Sequence, residues 1–306
     1  MTLRFDLNTY LRKKPKEDYL KANMTFNFSE SDSLTADIKL RTRGEYRNIN
    51  CYFAPIQLNF NKVDFGYDDL NEISKIKLVA QCETSRDYEY YLLKEYLTYK
   101  LFNVLTDTSF RVRLLIINYI DTENRRKPVR QYGFFIEPVE MVAARLNLLQ
   151  TKQALNQKYI SEKVMDRLAI FNYMIGNYDW GIPGEHNVKI FRPTTFSMNN
   201  KPIAIPYDFD WTGIVNASYA IPADNVGIAN IRVRVFAGIC RPREVYERAL
   251  LEFRANEEEI FRIINEFPYL NQSTKKDMAG YIEDFYRMFD GKRNIVDIFL
   301  NNCKKL

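Results

Sequence analysis

Histidine is almost missing from this sequence. His186 is the one example in 306 residues. A multi-histidine zinc site therefore has no material, and a Ser-His-Asp triad has almost none. Cysteine is scarce as well. Cys51, Cys82, Cys240 and Cys303 stand far apart, with neither a Cys-x-x-Cys pair nor a metal-ligand rhythm. They read as four half-buried free thiols, with a Cys51–Cys82 bridge open if the strands that carry them are neighbours. No apolar run is long enough to span a bilayer. Residues 1–20 are strongly charged and lack the apolar stretch of a signal peptide. A leader removed beforehand would leave the same trace, so two locations stay open: soluble as it stands, or exported or envelope-associated. An excess of one charge is missing too. The 44 basic and 39 acidic residues leave +5, too mild a balance to imply nucleic acid. Arg125-Arg126-Lys127 and the basic residues from Arg232 to Arg243 read as solvated faces.

What is present belongs to a globular chain, with 46% hydrophobic and 14% aromatic residues. The first part reads as strands. The N-terminal residues, Met24 to Ser29, Ala36 to Arg43 and Ile56 to Phe60 alternate with period two, and Ile76 to Ala80 is a short buried run. From Asp87 to Leu105 the apolar spacing becomes helical, with Asp87 as N-cap. Strands return at Phe110 to Ile120 and at Tyr132 to Pro138, joined by the charged loop Asp121 to Lys127. Past residue 140 the chain turns mostly helical. Ser161 opens a helix through Ile175 with Val164, Leu168, Phe171 and Ile175 on one stripe. Two short strands follow near Val188 and Pro202, then helices over Arg243 to Glu266, Thr274 to Phe289 and Asn294 to Cys303. The expected division is a β-rich part over 1–138 and a mostly helical part over 139–306, with a nucleotide and metal cleft between them.

Two polar loops carry the chemistry. One is Gly176-Asn-Tyr-Asp-Trp-Gly-Ile-Pro-Gly-Glu-His-Asn, and the other is Pro206-Tyr-Asp-Phe-Asp-Trp-Thr-Gly. Each presents carboxylates just beyond a buried element that can fix them. Phosphoryl transfer needs oxygen ligands for Mg²⁺, a carboxylate to orient the acceptor hydroxyl and a cation on the phosphates. Asp179, Asn187 and Asp208 supply the first two in the order base, amide ligand, carboxylate ligand. Asp210 lies on the opposite side of Asp208 if the segment is extended. Glu95 reads as an exposed helix glutamate, with pairing to a lysine as the alternative, and His186 as structural or substrate-facing. Trp180 and Trp211 either wall the site or simply pack.

Here the chain resembles the CotH-type spore-coat kinases, distant relatives of the protein kinases. The resemblance is a string of blocks over residues 36–215: Leu40-Arg-Thr-Arg-Gly-Glu-Tyr-Arg, Lys75-Ile-Lys-Leu-Val-Ala-Gln-Cys with Tyr91-Leu-Leu-Lys-Glu-Tyr-Leu, Tyr132-Gly-Phe-Phe-Ile-Glu, and the two acidic loops. It implies an α+β, two-lobed protein-kinase-like fold, with a β-rich first lobe carrying one long helix and a mostly helical second lobe. It also implies ATP with Mg²⁺ or Mn²⁺, and a protein or small-molecule acceptor. Asp179 would be the catalytic base, and Asn187, Asp208 and Asp210 the metal ligands. Arg43 and Gly44 would contact phosphate, and Glu137 would line the adenine side. An ordinary protein kinase is excluded, because there is neither a Gly-x-Gly-x-x-Gly loop nor a Val-Ala-Ile-Lys strand. Gln57 stands where a phosphate lysine would be expected, and Lys62 and Lys77 are the substitutes. Two alternatives accompany the kinase: a catalytically degenerate kinase-like binding protein, and a metal-dependent hydrolase using the same acids.

Overall fold

The structure is a computed structural model. It describes every residue except 62, 67, 154, 196–199, 223–226, 292–293 and 306, and the side chain at 69. Lys62, one of the two substitute lysines, lies outside the described residues. The chain forms two compact units, Met1–Leu92 with Val112–Pro138, and Leu93–Arg111 with Val139–Leu306.

The first unit carries strands β1 (Thr2–Phe5), β2 (Leu20–Asn27), β3 (Ser33–Thr42), β4 (Ile56–Asn59), β5 (Lys75–Ala80), β6 (Val112–Asp121) and β7 (Val129–Ile136). It also holds helices α1 (Leu7–Lys13), α2 (Tyr46–Asn50) and α3 (Asp68–Asn71), and the start of α4 (Arg86–Leu105). The expected two-lobed protein-kinase-like fold is overturned here. The strands close into a mixed barrel in the order β1-β2-β3-β4-β5-β7-β6. Closure is made by the N-terminal strand. β1 pairs antiparallel with β2 and parallel with β6, so Leu3 faces both Met24 and Tyr119 in register. Its alternation buries Leu3 and Phe5 and leaves Arg4 outside. With Tyr10, Leu40, Phe53 and Tyr119 they fill the barrel, and the Tyr10 hydroxyl donates to the Ala54 carbonyl at 2.5 Å. Asp121 ties the seam. Its buried carboxylate accepts from the backbone N–H groups of Leu7, Arg125 and Arg126.

The second unit contains α5 (Val139–Arg145), β8 (Leu148–Gln150), α6 (Glu162–Ile175), β9 (Val188–Pro193), β10 (Ile203–Pro206), α7 (Arg243–Ala255), α8 (Glu257–Glu266), α9 (Gln272–Asp290) and α10 (Ile295–Asn302). β10, β9 and β8 form an antiparallel sheet. Helix α6 starts after Ser161 as its cap residue predicts, but it does not show a single apolar stripe. Every residue from Leu168 to Ile175 is buried, which makes it the central rod of the unit. The expected helix over Arg243 to Glu266 is two helices, because Asn256 leaves the helical conformation and bonds back to Phe253. The basic residues from Arg232 to Arg243 are used internally. Arg232 pairs with Asp277, Arg241 with Asp166 and Arg243 with Asp297.

The free-thiol reading of the cysteines is also corrected. Cys51 pairs with Cys82 in the first unit, and Cys240 with Cys303 in the second. Backbone contacts bring each pair together. The Phe53 N–H donates to the Cys82 carbonyl at 2.9 Å, and the Cys240 N–H to the Lys304 carbonyl at 3.1 Å. Among the described residues, no helix is long and apolar enough to cross a membrane.

Candidate active site

Two acidic loops of the second unit leave the same end of the β9–β10 hairpin. Asn187 immediately precedes β9, Val188 is in register with Pro206, and Asp208 follows β10 by two residues. The Tyr207 N–H donates to the Asn187 carbonyl at 3.0 Å and couples the two exits.

The first loop is built from the end of α6. Gly176 stops the helix in the left-handed conformation, at φ +67°. Asn177 is buried. Its amide donates to the Asn172 side chain at 2.9 Å, and its side-chain oxygen accepts the Asp179 N–H at 2.9 Å. Beyond Asp179 the chain turns back at once. Gly181 and His186 exchange two backbone hydrogen bonds of 2.9 and 3.0 Å. The long spacing from Asp179 to Asn187 is thus a small closed loop that returns two side chains to one carboxylate. His186 Nε2 lies 2.5 Å from Asp179 Oδ1, and the Asn187 amide donates to Asp179 Oδ2 at 3.0 Å and to its carbonyl at 2.8 Å. Asp179 is held on both oxygens yet keeps a third of its side chain exposed.

The second loop holds the other carboxylates. Asp208 takes φ +66°, a left-handed turn that an aspartate tolerates better than most side chains. This turn breaks the alternation expected of an extended segment. Asp210 therefore does not point away. Carboxylate oxygens of Glu95, Asp208 and Asp210 lie within 4.8 Å of one another. The reading of Glu95 as exposed is corrected in the same place, since it is 1% exposed on α4. Tyr99, one helical turn later on the same face, accepts the Asp208 N–H at 2.8 Å. The Tyr219 hydroxyl donates to Asp210 Oδ2 at 3.1 Å. Phe209 is fully buried, with its ring centroid 4.7 Å from that of Tyr99. Next to Glu95, burial lowers the Lys94 ammonium to a pKa of about 8.

Asp208 and Asp210 meet Glu95, which the sequence reads as an exposed helix glutamate, and the Asn187 amide clasps Asp179. Arg43, Gly44 and Glu137 belong to the first unit. There the Arg43 N–H donates to the Pro55 carbonyl at 2.9 Å, and Gly44 turns at φ +84°. Gln57 is used internally, accepting from Arg41 at 3.0 Å and from the Tyr19 hydroxyl at 3.3 Å. Trp180 is buried and Trp211 half-buried.

The roots of the two loops are locked together. The Gly213 N–H donates to the Gly176 carbonyl, and the Ile214 N–H to the Ile175 carbonyl, each at 3.0 Å. The Tyr281 hydroxyl sits against both glycines, so a Cβ on Gly213 would lie 2.3 Å from it. Gly213→Ala is expected to cost about 1–3 kcal/mol. Tyr281→Phe in the alanine background should return part of that loss, as urea unfolding of the single and double variants will read.

Three carboxylates with hard oxygen donors and no nitrogen or sulfur among them fit Mg²⁺ or Mn²⁺ better than zinc. No protein-family model matches the chain, and no curated protein matches its sequence. Among solved structures it is similar to the Helicobacter pylori proinflammatory kinase CtkA, at 12% identity and a TM-score of 0.42, over 81% of this chain and 93% of that one. A likeness that shallow decides neither fold nor chemistry, and the function has to be argued from the side chains of the two loops.

Proposed function

We propose that the second unit is a metal-dependent phosphotransferase that moves the terminal phosphoryl group of ATP to a hydroxyl acceptor, as the CotH resemblance implies. The observation that carries this is the division of labour between two adjoining loops. One holds a single carboxylate clamped by His186 and Asn187 and still open to solvent, and the other gathers three carboxylates at one point. Glu95, Asp208 and Asp210 would hold Mg²⁺ or Mn²⁺, which when bound neutralises charge on the phosphates. Asp179 has free lone pairs for an acceptor hydroxyl, because each carboxylate oxygen accepts more than one hydrogen bond. It takes the hydroxyl proton as the acceptor oxygen bonds to phosphorus and the bond to the leaving diphosphate breaks. His186 and Asn187 fix its orientation through that step. Tyr99 and Tyr219 hold the second loop in place.

Asp179→Asn separates the roles. Transfer is expected to fall about 10²–10⁴-fold, the usual weight of a general base. The thermal shift produced by ATP with Mg²⁺ should persist, since the carboxylate trio is untouched. Loss of both together would assign Asp179 to metal binding instead. The second reading, a nucleotide-binding protein without transfer, is favoured by Gln57, whose side chain is spent on Arg41 and Tyr19 where a phosphate lysine is expected. It predicts a thermal shift in the parent with no phosphorylated product from any hydroxyl acceptor.

A further inference from the structure

The outer face of the barrel carries a charge pattern that the phosphotransferase does not use. Lys21 on β2 stands opposite Lys39 on β3, Lys39 opposite Asn59 on β4, and Asn59 opposite Lys75 on β5. One register row across four strands therefore holds three lysines and an amide. Neighbouring strands are about 4.8 Å apart, and like charges directly opposite each other destabilise a sheet. Among the described residues, none of Arg4, Lys21, Lys39 and Lys75 pairs with a carboxylate. The next row runs from Arg4 through Asn23 to Asp37, with the Asn23 amide donating to Asp37 Oδ1 at 2.9 Å. Arg4, Lys21, Asn23, Asp37, Lys39 and Asn59 line a groove of about 440 Å³.

We propose that this groove binds an anionic oligosaccharide, a sugar chain carrying sulfate, phosphate or carboxylate groups. The unpaired cations call for anionic groups, and cross-strand repulsion between Lys21 and Lys39 is relieved when one is bound. The amides and the Asp37 carboxylate match hydroxyls, which donate as well as accept. Asp37 also repels polyphosphate, which carries a charge on every phosphorus and has no hydroxyl along its chain to donate to the carboxylate. Among the described residues no aromatic ring lines the groove, and none of them offers a stacking platform for bases.

The test is calorimetric titration of the full chain at low salt with a sulfated heparin tetrasaccharide, with inorganic polyphosphate and with oligothymidylate of matched charge. The tetrasaccharide is expected to bind at least tenfold more tightly than the other two, and at least tenfold more weakly to the double variant Lys21→Glu, Lys39→Glu. Both positions are exposed, and an unchanged thermal midpoint will confirm that the variant folds. If it does not fold, Lys21→Gln with Lys39→Gln gives the same readout. Asp37→Asn should raise polyphosphate affinity relative to the tetrasaccharide. Equal affinity for the three polyanions, no binding by the parent, or tetrasaccharide binding indifferent to the lysine changes overturns the proposal. A polyphosphate-to-tetrasaccharide ratio unmoved by Asp37→Asn overturns it as well.

Discussion

Asp208→Asn is expected to abolish the metal-dependent thermal shift given by ATP and to lower transfer about 10²–10³-fold, the scale seen when one preorganised electrostatic partner is removed. Asparagine is the right replacement because it accepts the left-handed backbone at this position. A bulkier or β-branched residue would add strain to the loss of charge. The same substitution should raise the thermal midpoint of the metal-free protein. Glu95, Asp208 and Asp210 place three carboxylate oxygens within 4.8 Å of one another, and neutralising one reduces their mutual repulsion. A gain in stability with a loss of function is the signature of a site built for a ligand. A drop in the metal-free midpoint, with transfer unchanged, would instead make the trio a structural network. Scanning fluorimetry of parent and variant, with and without Mg²⁺, reads both effects.

Reduction of the disulfides is expected to have the largest effect on stability. The pairs close loops of sequence separation 31 and 63. In the chain-entropy account each constrains the unfolded chain by roughly 4 kcal/mol at 25 °C, a large share of the 5–15 kcal/mol that usually separates folded from unfolded protein. Cys240→Ser with Cys303→Ser should therefore lower the urea midpoint markedly, and Cys51→Ser with Cys82→Ser by a similar amount. The two pairs lie in separate units, so their effects should show in distinct transitions if the units unfold independently. A dithiothreitol titration that leaves both midpoints in place would mean that the thiols are free in solution.

The elements that could be read in the sequence were those set by neighbours along the chain. Period-two alternation located the strands, and Ser161 marked the start of α6. Features set by distant residues could not be read in the same way. Alternation in Thr2–Phe5 says that the segment is a strand, but not that it joins β2 to β6 and closes the barrel. Open-sheet and barrel strands share one pattern, and closure is a matter of register between segments far apart. The cysteines were paired by backbone bonds that spacing does not encode. At the site, Asp179, Asn187, Asp208 and Asp210 stood out because polar loops followed buried elements. Their grouping depended on one dihedral angle, since Asp208 at φ +66° turns Asp210 back toward its neighbour. Glu95 was missed because a helical glutamate is usually solvated.

The solitary histidine has a use beyond its chemistry. His186 lies 2.5 Å from Asp179, and no other imidazole exists in the chain. Its ring therefore gives a single set of nitrogen and carbon-bound proton signals in a magnetic resonance spectrum of the whole protein. Those signals report directly on one oxygen of the proposed base. Arrival of an acceptor, loss of the Asp179 charge or a change of imidazole tautomer would each be visible at that one spin system, without assignment of the other resonances. The scarcity that narrows the chemistry leaves the protein with a built-in spectroscopic probe at the centre of its candidate site.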